Sequence, residues 1–365
     1  MLLKKASPMV WAETACDAMI ATYTPAQLPP ANRWHYHQGV FLHGMNRLWE
    51  KTAKTEHWEY MKAYVDHLVD DQGNLVCAKG ELDSIQAGLL LLQLFEVTKE
   101  SKYRSAAERL YHLFPTFNRT REGGYWHKDK YPYQMWLDGL YMGGLFSLQY
   151  GRMVGKPEIW EDVLHQFRLM TKYTKDEKTG LLYHAWDESR QMPWSDPETG
   201  RSPEFWGRAI GWYGMVVVDF LAELPDDAPG RPELLKALTD LIQGLIRFQD
   251  KESGLWYQVV DKGDHPDNWL ETSCSSLFVY TIAKAITQGY IDARYRSVVE
   301  KGFQGLLQQI DSHDTETFVL PNICIGTGVG DYKHYVNRSK CENDLHGVGA
   351  FVLACVEVEA CLRHA

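Results

Sequence analysis

Four loops of one design punctuate this chain: Asp71-Gln72-Gly73-Asn74-Leu75, Arg121-Glu122-Gly123-Gly124-Tyr125-Trp126, Lys178-Thr179-Gly180-Leu181-Leu182-Tyr183 and Glu252-Ser253-Gly254-Leu255-Trp256-Tyr257. Each follows a helical pattern that is charged on one face. Each precedes a second helical pattern rich in Gly, Ala and Leu. Short polar turns close the units, at Lys51 to Trp58, Thr98 to Tyr103, Val154 to Trp160 and Thr287 to Tyr295. A unit of this kind cannot bury its apolar face alone, so recurrence implies stacked or closed helical pairs.

The spacing predicts first helices near 8–23, 56–70, 101–114, 158–174, 231–249 and 292–310, and second helices near 37–52, 84–98, 138–153, 207–223, 272–287 and 345–362. Ile159, Val163, Phe167 and Met170 show the helical period, as do Leu234, Leu238, Leu241 and Leu245. Strand signals are few. Small residues in the second set allow close approach, which places that set inside. Six such hairpins predict an all-α fold, the (α/α)6 barrel, with an open solenoid as the alternative. No Pro-, Gly- or Ser-rich linker interrupts the chain, so residues 1–365 are expected to form one catalytic domain.

In such a barrel the inner helices run parallel and their N-termini share one end. Tyr36, His37, Asp83, Asp138, Arg208 and Ser273 fall at those ends and should converge, although they lie far apart in sequence. Converging N-termini add positive potential, which suits an anionic ligand. Asp138 stands among Trp136, Leu137 and Tyr141, and an apolar wall raises a carboxyl pKa, as a general acid requires. Asp83 opens another inner helix, and repulsion between two carboxylates would raise one and leave the other ionised. Either Asp alone could simply cap its helix. Arg208, between Trp206 and Trp212, fits a carboxylate clamp better than a surface ion pair. His127 with Lys128, and His184, end equivalent loops and should overhang the pocket mouth. For Lys128 a solvated surface position is the plain alternative.

The net charge of −10 argues against nucleic acid or an anionic membrane surface as partner. It leaves room for an acidic small substrate held by a local basic cluster. With 13 Trp and 20 Tyr, the chain has ring faces for sugar stacking, though most of these fill a core. Lys4 and Lys5 precede an amphipathic stretch broken by Glu13 and Asp17, which is no signal-peptide core. No apolar run of membrane-spanning length is read. The seven scattered Cys, without a CxxC, fit reduced thiols in a cytoplasm. Neither HExxH nor paired Cys ligands occur, so no metal or organic cofactor is expected. His35 and His37, two apart, would not face one ligand from a helix. Gly326-Thr327-Gly328-Val329-Gly330 lacks a full phosphate-loop fingerprint and reads as a flexible loop near the pocket. Ser273 to Ser276 reads as close packing or polar lining.

Several stretches together resemble glycoside hydrolase family 105, the unsaturated rhamnogalacturonyl hydrolases, relatives of the unsaturated glucuronyl hydrolases of family 88. They are Trp34-His35-Tyr36-His37-Gln38-Gly39-Val40, Met135-Trp136-Leu137-Asp138-Gly139-Leu140-Tyr141-Met142, Trp206-Gly207-Arg208-Ala209-Ile210-Gly211-Trp212, Asn268-Trp269-Leu270-Glu271-Thr272-Ser273 and Gly347-Val348-Gly349-Ala350-Phe351. The resemblance implies the (α/α)6 barrel and a substrate that is a lyase-generated oligosaccharide ending in a 4,5-unsaturated uronic acid. It implies Asp138 as catalytic acid and base and Asp83 as the second catalytic carboxylate. Tyr36, His127, Lys128, Trp136, His184, Trp206, Arg208 and Trp212 are then expected to bind substrate, with no metal or cofactor and a monomer or homodimer as the assembly. Arg208-Ala209-Ile210-Gly211-Trp212 departs from the Arg-Gly-Asn-Gly-Trp common in relatives, which leaves subsite preference open. A glucuronyl hydrolase of the family 88 type is the nearest alternative. A sugar epimerase on the same barrel, using His127 and His184, or a non-catalytic sugar-binding protein are further ones.

Overall fold

The computed structural model describes residues 6–76, 78–310 and 318–363. Lys4, Lys5 and Cys77 lie outside the described residues. The helices in chain order are α1 (Pro8–Thr22), α2 (Tyr36–Thr52), α3 (Thr55–Leu68), α4 (Leu82–Gln86), α5 (Leu89–Thr98), α6 (Ser101–Tyr111), α7 (Leu137–Val154), α8 (Glu158–Thr174), α9 (Gly207–Glu223), α10 (Arg231–Phe248), α11 (Thr272–Thr287), α12 (Arg296–Gln309), α13 (Tyr332–Val336) and α14 (Leu345–Arg363). Four short strands accompany them: β1 (Gln134–Trp136), β2 (Ala185–Asp187), β3 (Ile323–Cys324) and β4 (Lys340–Cys341).

The inner helices form a ring. Going round, α2 meets α4 and α5, these meet α7, then α9, α11 and α14 follow, and α14 packs back on α2. The closing contact decides for the (α/α)6 barrel over the solenoid. Outside the ring, α3, α6, α8, α10 and α12 pack on α2, α5, α7, α9 and α11, while α1 covers the seam of α14 and α2. At that seam a side chain on Gly349 would meet the Phe41 backbone at 2.6 Å, so only glycine permits this approach of α14 to α2.

Three expectations need correction. The inner helix expected at 84–98 is two segments, because the chain tightens at Ala87 and Gly88. There the Gly88 N–H bonds Ile85 O at 2.9 Å, an i+3 rather than i+4 spacing. The outer helices expected at 101–114 and 292–310 are shorter, with 3-10 turns at Phe114–Thr116 and Ala293–Tyr295. Finally, α14 is long and apolar enough to cross a membrane by length and composition, contrary to the reading that no such run exists. Most of it is buried, as the innermost position between α2 and α11 demands.

The repeated loops share a mechanism. Gly73, Gly123, Gly180 and Gly254 all take positive φ, at 74°, 89°, 78° and 76°. That conformation is strained for any residue with a Cβ. Three of the loops are also pinned by a preceding carboxylate: Asp70 accepts the Asn74 N–H, Asp176 the Thr179 N–H and Asp250 the Ser253 N–H.

Candidate active site

His37, Asp83, Asp138, Arg208, Ser273 and His346 are each the second residue of an inner helix, α2, α4, α7, α9, α11 and α14, and the first four line one cavity. At these four starts the helical register therefore delivers a side chain to a common region. A cavity of about 290 Å³ opens there. Of the residues expected from sequence, Tyr36, Asp83, His127, Lys128, Trp136, Asp138, Trp206 and Arg208 line it. Gly326, Thr327 and Gly328 of the glycine-rich segment close one side, as expected of their place near the pocket.

His184 does not overhang the mouth. β1 pairs antiparallel with β2, Trp136 opposite Ala185, and the Leu137 N–H bonds His184 O at 3.0 Å. This pairing turns the imidazole inward beneath Asp138, where it is fully buried. His184 Nε2 lies 3.2 Å from Asp138 Oδ2. Its Nδ1 lies 2.8 Å from the Tyr335 hydroxyl, which also accepts the Gly330 N–H at 3.3 Å. Trp212 is also absent from the cavity lining. It sits one turn further along α9 than Arg208 and stacks on Tyr141, centroids 4.9 Å apart. Ser273 is buried too, its hydroxyl donating to Glu271 at 2.8 Å.

Both carboxyls are held below the ordinary Asp range, contrary to the expectation of a raised Asp138. For Asp138 burial pushes upward, but the contact with His184, the neighbouring His127 and the Arg208 guanidinium more than offset it. For Asp83 burial is again overcome, here by His35, His127 and Lys128. Lys128 donates directly to Asp83, so it is no free surface lysine. Burial keeps the imidazoles neutral: His127 is pushed down to about 4, and His35 and His184 are also lowered.

Arg208 is buried and lies over the Trp206 ring at 4.5 Å. Its guanidinium donates to Cys324 O and, at 2.8 Å, to Ile325 O. Those carbonyls are fixed in turn, since Glu271, the N-cap of α11, accepts the Cys324 N–H at 2.8 Å. Five N–H groups and two carbonyl partners leave donors for a ligand anion. Trp136 stacks on His127 and Tyr131, at 4.3 and 4.6 Å, and walls the cavity.

Sequence reasoning missed Asp344, His346, Tyr335 and Tyr131, and set aside His35 with His37 as a pair facing one ligand. His35 precedes α2 in extended backbone, so helical spacing does not govern it, and both imidazoles line the cavity. His37 was already expected at a converging helix start, and comparing the starts of all six inner helices would have exposed His346 as well. Asp344 contacts His37 at 3.1 Å and His346 at 2.7 Å. This trio, and His35 with Glu81 and Asp83, bring ligand atoms within 4.8 Å and are the groups that could hold a cation. Lys128 on Asp83 opposes one at the second cluster.

A six-hairpin ring with carboxylates, a guanidinium and stacked tryptophans at one mouth defines the class of barrel enzymes that act on carbohydrates. More particularly, a family model described as Glycosyl Hydrolase Family 88 matches residues 11–362, and the chain belongs to this family, as a glycoside hydrolase. The likeness to family 105 read from the sequence is borne out. A family 105 glycoside hydrolase from C. acetobutylicum superimposes with a TM-score of 0.91 at 35% identity, over 96% of this chain and 99% of that one. A possible family 105 member from Klebsiella pneumoniae gives 0.79 at 26% identity, over 89% and 82%. The unsaturated rhamnogalacturonyl hydrolase YesR of Bacillus subtilis is 29% identical over 82% of this chain and 83% of its own.

Proposed function

We propose that this enzyme removes the terminal 4,5-unsaturated uronic acid from lyase-generated oligosaccharides, with unsaturated rhamnogalacturonides as substrates. The observation that carries this reading is the seating of Asp138 against His184 in a small cavity that also presents Arg208 and Lys128. The name of YesR supports the rhamnogalacturonide choice. The proposal takes residues 1–365 as one catalytic barrel acting in the cytoplasm, as monomer or homodimer, without metal or cofactor.

In this mechanism Arg208 holds the uronate carboxylate. Asp138 gives its proton to C4 of the enol ether. The charge left at C5 is met by water, and Asp138, now a carboxylate, takes a proton from that water as its oxygen bonds to C5. The hemiketal then opens and releases the leaving sugar. One group serves as acid and base, so the two-carboxylate separation of ordinary glycosidases does not apply. The low Asp138 pKa belongs to the empty cavity. A bound uronate adds negative charge, answers Arg208, and raises Asp138, so binding should draw in a proton.

The test is the ultraviolet absorbance of the conjugated enol-acid, followed with unsaturated rhamnogalacturonan disaccharide. Loss of absorbance with release of rhamnose is expected. Loss only with glucuronyl-type lyase products would keep the mechanism and move the specificity. No loss with any unsaturated uronide would overturn the reading. Asp138→Asn should lower kcat by about 100- to 10,000-fold, the usual worth of a proton-transfer group, with substrate still bound. Arg208→Ala should chiefly raise KM.

A further inference from the structure

We propose that the end of the barrel opposite the active site holds a second ligand site, which takes a small aliphatic amine in its ammonium form. Five inner helices, α2, α5, α7, α9 and α11, end around a cavity of about 300 Å³. Arg208 opens α9 at the active-site mouth, and Asp219 lines this second cavity eleven residues further along the same helix. At 1.5 Å per residue the two mouths stand about 16 Å apart along the helix, so one small ligand does not serve both. The helix dipoles that favour an anion at the first mouth favour a cation at this one.

The charges in the wall point the same way. Glu50, Glu96, Asp219 and Glu223 supply four carboxylates against three cations, and each cation already has a carboxylate. Arg47 lies 2.6 Å from Glu50 and 3.9 Å from Glu357, Arg152 lies 2.5 Å from Glu223, and Lys284 lies 2.7 Å from Asp219 Oδ1. Burial, with Arg47 and Lys284 nearby, pushes His43 down to about 3, so it adds no positive charge at neutral pH. The surplus is negative, with Glu96 exposed at the rim and Asp219 inside.

Asp219 is the residue that calls for a ligand. It is only 3% exposed. Its Oδ1 accepts the Tyr280 hydroxyl at 2.6 Å and the Lys284 ammonium at 2.7 Å, while its Oδ2 has no hydrogen-bond partner. A buried carboxylate oxygen without a donor is costly. Gln93 of α5 repeats the pattern: its amide nitrogen stands 2.8 Å from His43 Nδ1 and its Oε1 is unpartnered. Among the described residues, these are the buried polar side-chain atoms of the wall left without a partner, and both are oxygens. Their partner is therefore a donor, and the surplus charge makes that donor cationic. An ammonium group meets both demands. A bare divalent ion does not, because among the described residues the groups that bring three ligand atoms within 4.8 Å lie elsewhere. Leu145 and Ala222 give a short alkyl chain an apolar place in the wall.

The probe is 1,4-diaminobutane, titrated into the whole enzyme and followed by calorimetry and by thermal unfolding. One site per chain is expected, with the unfolding midpoint rising by about 2–4 °C at saturation, because a ligand of the native state alone stabilises that state. At matched ionic strength, 1,4-butanediol has no charge and tetramethylammonium has charge but no N–H, so neither should give the rise. In Asp219→Asn the rise, measured from that variant's own midpoint, should disappear. Where loss of the Lys284 partner keeps that variant from folding, Ala222→Trp decides instead, since it fills the mouth, leaves every charge in place and should also abolish the rise. Absence of binding would overturn the site. So would a rise that tetramethylammonium, sodium chloride or magnesium chloride reproduces, or one that survives in Asp219→Asn, or in Ala222→Trp where the first variant does not fold. Either result leaves the proposed function standing.

Discussion

At the scale of residues, the informative contact is the file Asp138, His184, Tyr335. A buried neutral imidazole orients only if its other nitrogen has a partner, and the Tyr335 hydroxyl supplies one. In Tyr335→Phe the imidazole loses the partner of its Nδ1 and is held less firmly against Asp138, which loses part of what keeps its carboxyl low. Its pKa then moves up toward the ordinary value. In the proposed mechanism Asp138 must be protonated to donate, so activity is lost as pH rises through that pKa. The alkaline limb of kcat/KM should therefore shift to higher pH, while kcat falls about tenfold, the worth of roughly one hydrogen bond. A tyrosine that only packs would change thermal stability and leave the limb in place. Asp138, Asp83 and Arg208 were legible in the chain because each opens an inner helix. The inward turn of His184 was not, because it depends on a three-residue strand pairing with no sequence pattern of its own. The direction of the Asp138 shift was not fixed by the sequence, for a related reason. Burial could be read from its apolar neighbours, but the opposing His184, His127 and Arg208 come from three other places in the chain.

At the scale of elements, the loop glycines set the reach of each hairpin. A Cβ on Gly180 would stand 2.4 Å from Asp240 O of the neighbouring outer helix, in a backbone conformation already unfavourable for it. Gly180→Ala should thus destabilise by about 1–3 kcal/mol, measured by denaturant unfolding, with kcat in the surviving folded fraction little changed. The repeat was visible because these loops recur with the same glycine, and helix periodicity carried most boundaries to within a few residues. The tightening at Ala87 and Gly88 was not visible. It answers packing against α2, where a side chain on Gly39 would meet Ala87 Cα at 2.8 Å, and nothing local to residues 84–98 announces it.

At the scale of the whole molecule, closure rests on α14 meeting both α2 and α11. Gly349→Val would press a branched side chain into the Phe41 backbone, so it should cost about 1–3 kcal/mol or more and lower activity and unfolding midpoint together. An unchanged midpoint would mean that the seam is not a constraint on stability. The ring itself was foreseeable from six pairs with small-residue inner helices. The apolar length of α14 was underestimated, because a helix walled in on both sides by its neighbours reads much like one meant for lipid.

The second residue of each inner helix is a slot whose backbone position is set by the ring and whose side chain is not. Histidine, aspartate, aspartate, arginine, serine and histidine now fill the six. Exchanging His37, Asp83 or Asp138 alters the chemistry at the mouth, whereas Arg208 and Ser273 are also tied into the frame through Cys324, Ile325 and Glu271. The slots are coupled, since His37 and His346 share Asp344, so a change in one hairpin is felt in its neighbour.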